Sequence, residues 1–157
     1  MFGAMPEHRH LQRLAIVLTR QPIYFVTTCV RERRRVLADP PIAAILIDEW
    51  RSAQLRHGWR IGRYVIMPDH VHFFATPERD DAKLARFVGS WKEWTAKRLA
   101  RDCGIEPPLW QVRFFDHLLR SEESYADKRE YVLNNPVRAE LVARAEDWPF
   151  SGWIDFE

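Results

Sequence analysis

His70-Val71-His72 is the sharpest local signal in the chain. On a strand, alternation sends the two imidazoles to one face and Val71 and Phe73 to the other. Two neutral imidazoles at i and i+2 can share one divalent ion, and a third ligand from elsewhere would leave positions open for substrate oxygens or water. The same pair also reads as two half-buried, hydrogen-bonded histidines, because His-x-His arises on many strands without a metal. A second constellation is Tyr131-Val-Leu-Asn-Asn135-Pro136, where Tyr131 and Asn135 stand on one helical face about one turn apart. A phenol, with its pKa of about 10, is a poor nucleophile unless a base or a stabilising charge stands beside it. An amide oxygen at Asn135 can reach the ion such chemistry needs. Without the histidines, Tyr131 reads instead as an interfacial ring at a helix end that Asn135 caps. Tyr125, Arg129, Val132 and Leu133 form the stripe suited to packing, which turns the Tyr131 ring off the core face.

A sheet and a helix must hold these residues, and the chain alternates between two-residue and 3.6-residue apolar periods with no internal repeat. Pro22 precedes a first strand over Ile23 to Val30, aromatic and β-branched throughout, and Arg31 to Arg35 form a charged loop. After Asp39-Pro40-Pro41, Ile42, Ile45, Leu46, Trp50 and Ala53 mark a helix that runs to about His57, with Gly58 as its stop. Trp59 to Met67 and His70 to Thr76 read as antiparallel strands joined by Pro68-Asp69. The next helix opens near Asp80 with Leu84, Phe87, Val88, Trp91 and Trp94 as its buried stripe. Gln111 to Leu119 is a fourth strand with Phe114 and Phe115 inside it, and Ser121-Glu-Glu-Ser starts a helix with acids in its first turn. That helix should end near Asn135, because Pro136 disfavours helical geometry in the residue before it. The order β-α-β-β-α-β-α folds most simply as an α+β, ferredoxin-like (RRM-like) four-stranded antiparallel sheet with two helices on one face. A C-terminal helix is left free to carry Tyr131.

At 157 residues and 18.7 kDa, one domain over 1–157 is expected, large enough to bury a core without a disulfide or structural metal. Cys29 and Cys103 form no CxxC pair, which argues against a zinc ribbon or a secreted disulfide framework. No apolar run approaches the ~20 residues that cross a bilayer, so a cytoplasmic protein without a membrane partner is expected. The net charge of +2, from 24 Lys+Arg against 22 Asp+Glu, is uninformative as a total. Its distribution is not: residues 1–20 form a basic lead-in, and Lys83, Arg86, Lys92 and Lys97 crowd the exposed faces of one helix. With Arg33, Arg34, Arg35, Arg113 and Arg138 nearby in the chain, they are the candidate contacts to a nucleic-acid backbone; for any one of them, a solvated surface charge is the simpler reading. Trp91 and Trp94 are read as core rather than as base-stacking platforms.

Together, several stretches resemble one known family over nearly the whole chain. They are Tyr24-Phe-Val-Thr-Thr28, Tyr64-Val-Ile-Met-Pro-Asp-His-Val-His-Phe-Phe-Ala75, Trp110-Gln111 with Phe115-Asp-His117, Tyr131-Val-Leu-Asn-Asn-Pro-Val-Arg-Ala139 with Leu141-Val142, and Trp148-Pro-Phe-Ser151. The chain resembles the REP-associated tyrosine transposases, relatives of the IS200/IS605 single-tyrosine HUH transposases. The resemblance implies that His70 and His72 are metal ligands, that Asn135 is the third, polar ligand, and that Tyr131 is the nucleophile. It further implies Mg²⁺ or Mn²⁺ as cofactor, single-stranded or hairpin DNA as partner, and cleavage and rejoining beside palindromes through a 5′-phosphotyrosine. Asp116 and His117 are candidates to support the metal site from behind, or simply to pack. A monomer is favoured over a dimer that exchanges the tyrosine helix, and association with the nucleoid is expected when DNA is bound. Glu140 departs from the family's usual Gly, which bears on the turn after the helix and leaves the proposed catalytic set intact. Two other classes remain open: a hairpin-binding protein that no longer cuts, and a metal-dependent phosphoesterase that uses water, with Tyr131 structural.

Overall fold

The structure, a computed structural model, describes residues 22–157; the basic lead-in expected at 1–20 lies outside the described residues. Its centre is an antiparallel sheet of β1 (Ile23–Cys29), β2 (Trp59–Ile66), β3 (His70–Pro77), β4 (Phe115–Leu119) and β5 (Ser151–Trp153). Their order across the sheet is β4-β1-β3-β2-β5. Four of the five follow the expected ferredoxin-like order. The fifth is a correction: three residues at the C-terminal end pair with β2, Val65 opposite Ser151 and Arg63 opposite Trp153. So short a strand, carrying a Gly at its centre, leaves no two-residue apolar period to read.

The sheet separates two cores. On one face, α1 (Pro40–Arg51), its short continuation α2 (Ala53–His57) and α3 (Leu84–Cys103) bury Val26, Phe73, Ala75, Trp50, Phe87 and Trp91. Trp50 and Trp91 stack with ring centroids 4.9 Å apart and planes 9° apart. Gly58 and Gly104 end α2 and α3 with φ of 71° and 66°, the left-handed conformation that glycine adopts without steric cost. On the opposite face a smaller core of Ile23, Val65, Met67, Phe74 and Leu119 is covered by Tyr125 and Val132 of α4 (Glu122–Leu133).

Three expectations need correction here. Trp94 is not core: it is 48% exposed, with the Lys97 ammonium 5.1 Å from its ring. The buried stripe of α3 instead runs through Thr95, whose hydroxyl donates to the Trp91 carbonyl at 2.8 Å and accepts from Trp110 Nε1 at 2.9 Å. Those bonds satisfy a polar side chain in the core, which polarity alone does not reveal. The fourth strand begins at Phe115, not Gln111, because Trp110 bridges to Val30 and Gln111 donates its N–H to the Cys29 carbonyl before the chain leaves the sheet. Val112 is left 96% exposed and Phe115 67% exposed at the edge. Finally, α3 opens at Leu84 with Lys83 as its N-cap, four residues later than the Asp80 start.

Candidate active site

The β2–β3 hairpin turns through Pro68 and Asp69, and its tip is pinned from outside. Leu37 N–H donates to the Pro68 carbonyl and Val30 N–H to the Asp69 carbonyl, each at 2.9 Å. The next residue is His70. In register across β1, His70 faces Cys29 and His72 faces Thr27, so strand alternation sets both imidazoles on the face that carries α4. The rings lie 4.7 Å apart with their planes at 77°.

Both imidazoles have their Nδ1 already engaged. His70 Nδ1 lies 2.8 Å from Asp69 Oδ1, and Arg33 Nε donates to the other oxygen of that carboxylate at 2.9 Å. His72 Nδ1 lies 2.7 Å from Thr27 Oγ1. With Nδ1 as the N–H, each ring keeps its lone pair on Nε2, the arrangement that second-sphere oxygens impose on metal-bound histidine. Burial pushes the His72 pKa down to about 3, assisted by the charges of His70, Arg138, Lys128 and Arg33. Burial also lowers that of His70, against the raising effect of Asp69. Both rings are therefore neutral near pH 7. Burial disfavours ionisation of Asp69 as well, but hydrogen bonds from His70 and Arg33 outweigh it and hold the carboxyl below its ordinary value.

The second half of the site comes from α4. Ser121 Oγ accepts from the Ser124 N–H at 3.1 Å, capping the helix as expected, with Glu122 and Glu123 in the first turn. The helix stops at Leu133, and a single turn, α5 (Asn135–Arg138), follows with Pro136 near its start. That break aims the Asn135 amide at the histidines, Nδ2 standing 3.4 Å from His70 Nε2. Half a rotation of the amide presents Oδ1 instead. Tyr131 is 58% exposed, off the packing stripe that buries Tyr125 and Val132. The Arg138 guanidinium covers its ring at 3.7 Å from the centroid.

Two imidazole nitrogens and one amide oxygen form a neutral donor set of mixed hardness, which suits a divalent ion that keeps open positions for oxygen ligands. Two neutral rings 4.7 Å apart, one of them with its Nε2 3.4 Å from an amide, fit that role. Among the described residues no group of three or more His, Cys, Asp or Glu side chains is arranged to hold a metal, so an ion here depends on the Asn135 amide.

The other candidate residues are dispersed. Arg33 is tied to Asp69 and to Cys29 Sγ, at 2.9 Å each. Arg34 donates to the carbonyls of Glu106 and Pro108, Lys92 to those of Gln111 and Val112, and Lys97 pairs with Glu93. Lys83, Arg86, Lys92 and Lys97 belong to α3 or its cap, on the sheet face opposite the histidines. Arg35 borders an open cleft beside the hairpin turn, lined also by Pro68, Leu141 and Trp148. Arg113 is exposed just before β4. Asp116 and His117 are both exposed; His117 pairs across from Phe25 on the histidine face and Asp116 from Val26 on the other, and neither hydrogen-bonds to His70 or His72. Sequence reasoning gave Asp69 a place in the hairpin turn but no contact with His70, and gave Thr27 and Lys128 no role at the site. Adjacency to His70 was a usable signal for Asp69 and the three-residue spacing to Tyr131 for Lys128, whereas Thr27 needed the strand register.

The chain matches the family described as "Transposase IS200 like" over residues 19–135. It is 35% identical over 94 residues to the REP-associated tyrosine transposase of Escherichia coli (strain K12), covering 59% of this chain and 53% of that protein. It thus spans about half the length of that relative. A protein of Haemophilus influenzae (strain ATCC 51907 / DSM 11121 / KW20 / Rd), given the same name provisionally, is 29% identical over 150 residues, 86% of this chain and 81% of its own length. Among solved structures, a REP-associated tyrosine transposase bound to a REP hairpin superposes with a TM-score of 0.71 at 26% identity, covering 83% of this chain and 75% of that one.

Proposed function

Since the chain belongs to the family of IS200-like transposases, we propose that it cleaves and rejoins single-stranded DNA beside REP-like hairpins, with Tyr131 as nucleophile and a divalent ion as cofactor. The observation that carries this reading is the neighbouring rings of His70 and His72 with the Asn135 amide against His70, and an exposed Tyr131 four residues before Asn135. The relative solved with a REP hairpin supports the choice of substrate.

Mg²⁺ or Mn²⁺ held by Nε2 of His70, Nε2 of His72 and Oδ1 of Asn135 would neutralise charge developing on the phosphoryl oxygens. The chain's own groups do the rest. Asp69, whose carboxylate can only accept, orients the His70 ring with its proton on Nδ1, and Thr27 orients the His72 ring. The break after Leu133 sets Asn135 against His70, four residues after Tyr131. Tyr131 Oη forms a bond to phosphorus as the P–O3′ bond breaks; the phenol proton leaves to solvent and the 3′-oxygen takes one up. The product is a 5′-phosphotyrosine and a free 3′-OH, and storing the bond on Tyr131 allows rejoining without ATP. The cleft beside Arg35 offers a path for the strand. We further propose that the chain acts as a cytoplasmic monomer; among the described residues no helix is long and apolar enough to cross a membrane.

The test incubates labelled hairpin DNA bearing a single-stranded flank with wild type and Tyr131→Phe, in Mn²⁺ or in EDTA. The expected result is a protein–DNA adduct that survives denaturation, forms in Mn²⁺, and is lost in EDTA and in Tyr131→Phe. Metal-dependent cutting by Tyr131→Phe would point to a water-using phosphoesterase, and binding without cutting to a protein that has kept only its hairpin affinity.

A further inference from the structure

Two cations meet at Tyr131, and neither is in an ion pair among the described residues. In an unbroken helix Arg138, seven positions after Tyr131, would lie about 10.5 Å further along the axis. The chain instead leaves α4 at Asn134 and restarts at Asn135, which folds the Arg138 guanidinium back to 3.7 Å from the Tyr131 ring centroid. Lys128, three residues before Tyr131 and on the same helical face, places its ammonium 5.5 Å from that ring. The same ammonium is 5.1 Å from Phe25, whose ring stacks at 5.2 Å on His72. Lys128 thus bridges Tyr131 and the histidine side of the site, while Arg138 covers the Tyr131 ring.

At the site itself Asp69, the carboxylate beside His70, is already occupied by Arg33. Cation–ring contacts at the protein surface stabilise little, a weak return for concentrating like charges beside two neutral rings. An external anion would complete the arrangement.

Resting on the function proposed above, we infer that Lys128 and Arg138 form a phosphate clamp around Tyr131, gripping the scissile phosphodiester as the phenol attacks it. The diester enters with one negative charge and carries two when five oxygens surround phosphorus, so both cations bind the transition state more tightly than the ground state. The planar guanidinium suits two equatorial oxygens at once, and the ammonium supplies a compact charge on the other side. As Tyr131 Oη–P forms, P–O3′ breaks, with the phenol proton lost to solvent and the 3′-oxygen protonated from it; no other reactant is needed.

Two measurements test this. Single-turnover adduct formation on the labelled hairpin in Mn²⁺ is compared for wild type, Lys128→Ala, Arg138→Ala and Arg138→Lys, with hairpin affinity measured alongside. Each alanine variant is expected to slow the adduct about 100-fold at saturating DNA with little change in affinity, and Arg138→Lys to recover part of the rate. Wild-type rates, or losses that excess DNA restores, would overturn the clamp. Separately, inorganic phosphate is titrated into protein carrying fluorotyrosine, and the Tyr131 fluorine resonance, identified with Tyr131→Phe, is followed. A saturable shift in wild type that disappears in Lys128→Ala and Arg138→Ala supports the clamp, and its absence in wild type overturns it whatever the cleavage assay gives. A phosphate-dependent shift in a wild type that never forms an adduct would keep the clamp and sink the transposase reading.

Discussion

At the scale of the residue, the histidine pair is held in place by the chain's own side chains. Asp69 holds His70 through Nδ1, Arg33 holds Asp69, and Thr27 holds His72. Arg33 does this from a backbone with φ of 53°, next to Glu32 at 59°, a left-handed pair of non-glycine residues that costs of order 1–3 kcal/mol each. The tie to Asp69 and Cys29 is one contact set that holds the loop in that state. Asp69→Ala and Arg33→Ala are accordingly expected to weaken Mn²⁺ binding by about 10–100-fold while leaving helix content unchanged, as calorimetric titration and circular dichroism would check. Equal affinity in both variants would count against the relay. The shared face of His70 and His72 was legible in spacing, since residues two apart on a strand point the same way, whereas the break between Tyr131 and Asn135 was not. Arg33 was visible as a charge, but a charge run reads the same whether it meets solvent, DNA or a carboxylate brought from 36 positions away.

Elements were legible where period and punctuation agreed. Gly58 ended its helix, Pro68-Asp69 turned the hairpin, and Ser121 capped α4. Legibility failed where tertiary bonds decided the outcome: Thr95 displaced Trp94 from the core, and Trp110 shortened the fourth strand. The family departure at Glu140 has a plain structural meaning, because this residue follows α5 with φ of 59° and so occupies the left-handed position where glycine is favoured. Leu141 N–H nevertheless reaches the Pro136 carbonyl at 2.9 Å, closing the turn in spite of the strain. Glu140→Gly should therefore raise stability by about 1 kcal/mol, and the melting temperature by roughly 2–4 °C, without altering the site. A thermal melt that falls would show that the Glu140 side chain contributes more than its backbone costs.

For the whole molecule, the site's neutrality links function to pH. Both imidazoles titrate in the folded chain below the ordinary 6.5, His72 at about 3, so between those limits the unfolded chain binds more protons than the folded one. Stability then falls as pH drops from about 6.5 toward 3, and is fully present above 6.5. Urea midpoints measured at pH 7, 5.5 and 4.5 should decline in that order, and His72→Asn should flatten the profile; an unchanged decline in that variant would place its cause elsewhere. The ferredoxin-like order, the placing of α1 and α3 on one side of the sheet and the helix that carries Tyr131 were legible because each follows from chain order and apolar period, whereas the three-residue β5 was not. That sidedness divides the fold unequally. The aromatic core between the sheet and α1 and α3 is the larger, and the layer formed by α4 over Ile23, Phe74 and Leu119 is the smaller. Free energy for partial opening scales with the apolar surface a layer hides, so the layer bearing Tyr131 and Asn135 is the first to lift, while the strand that bears the histidines stays folded. One such local excursion carries Tyr131 and the Asn135 amide away from the histidines together, so that the two halves of the site part in a single step.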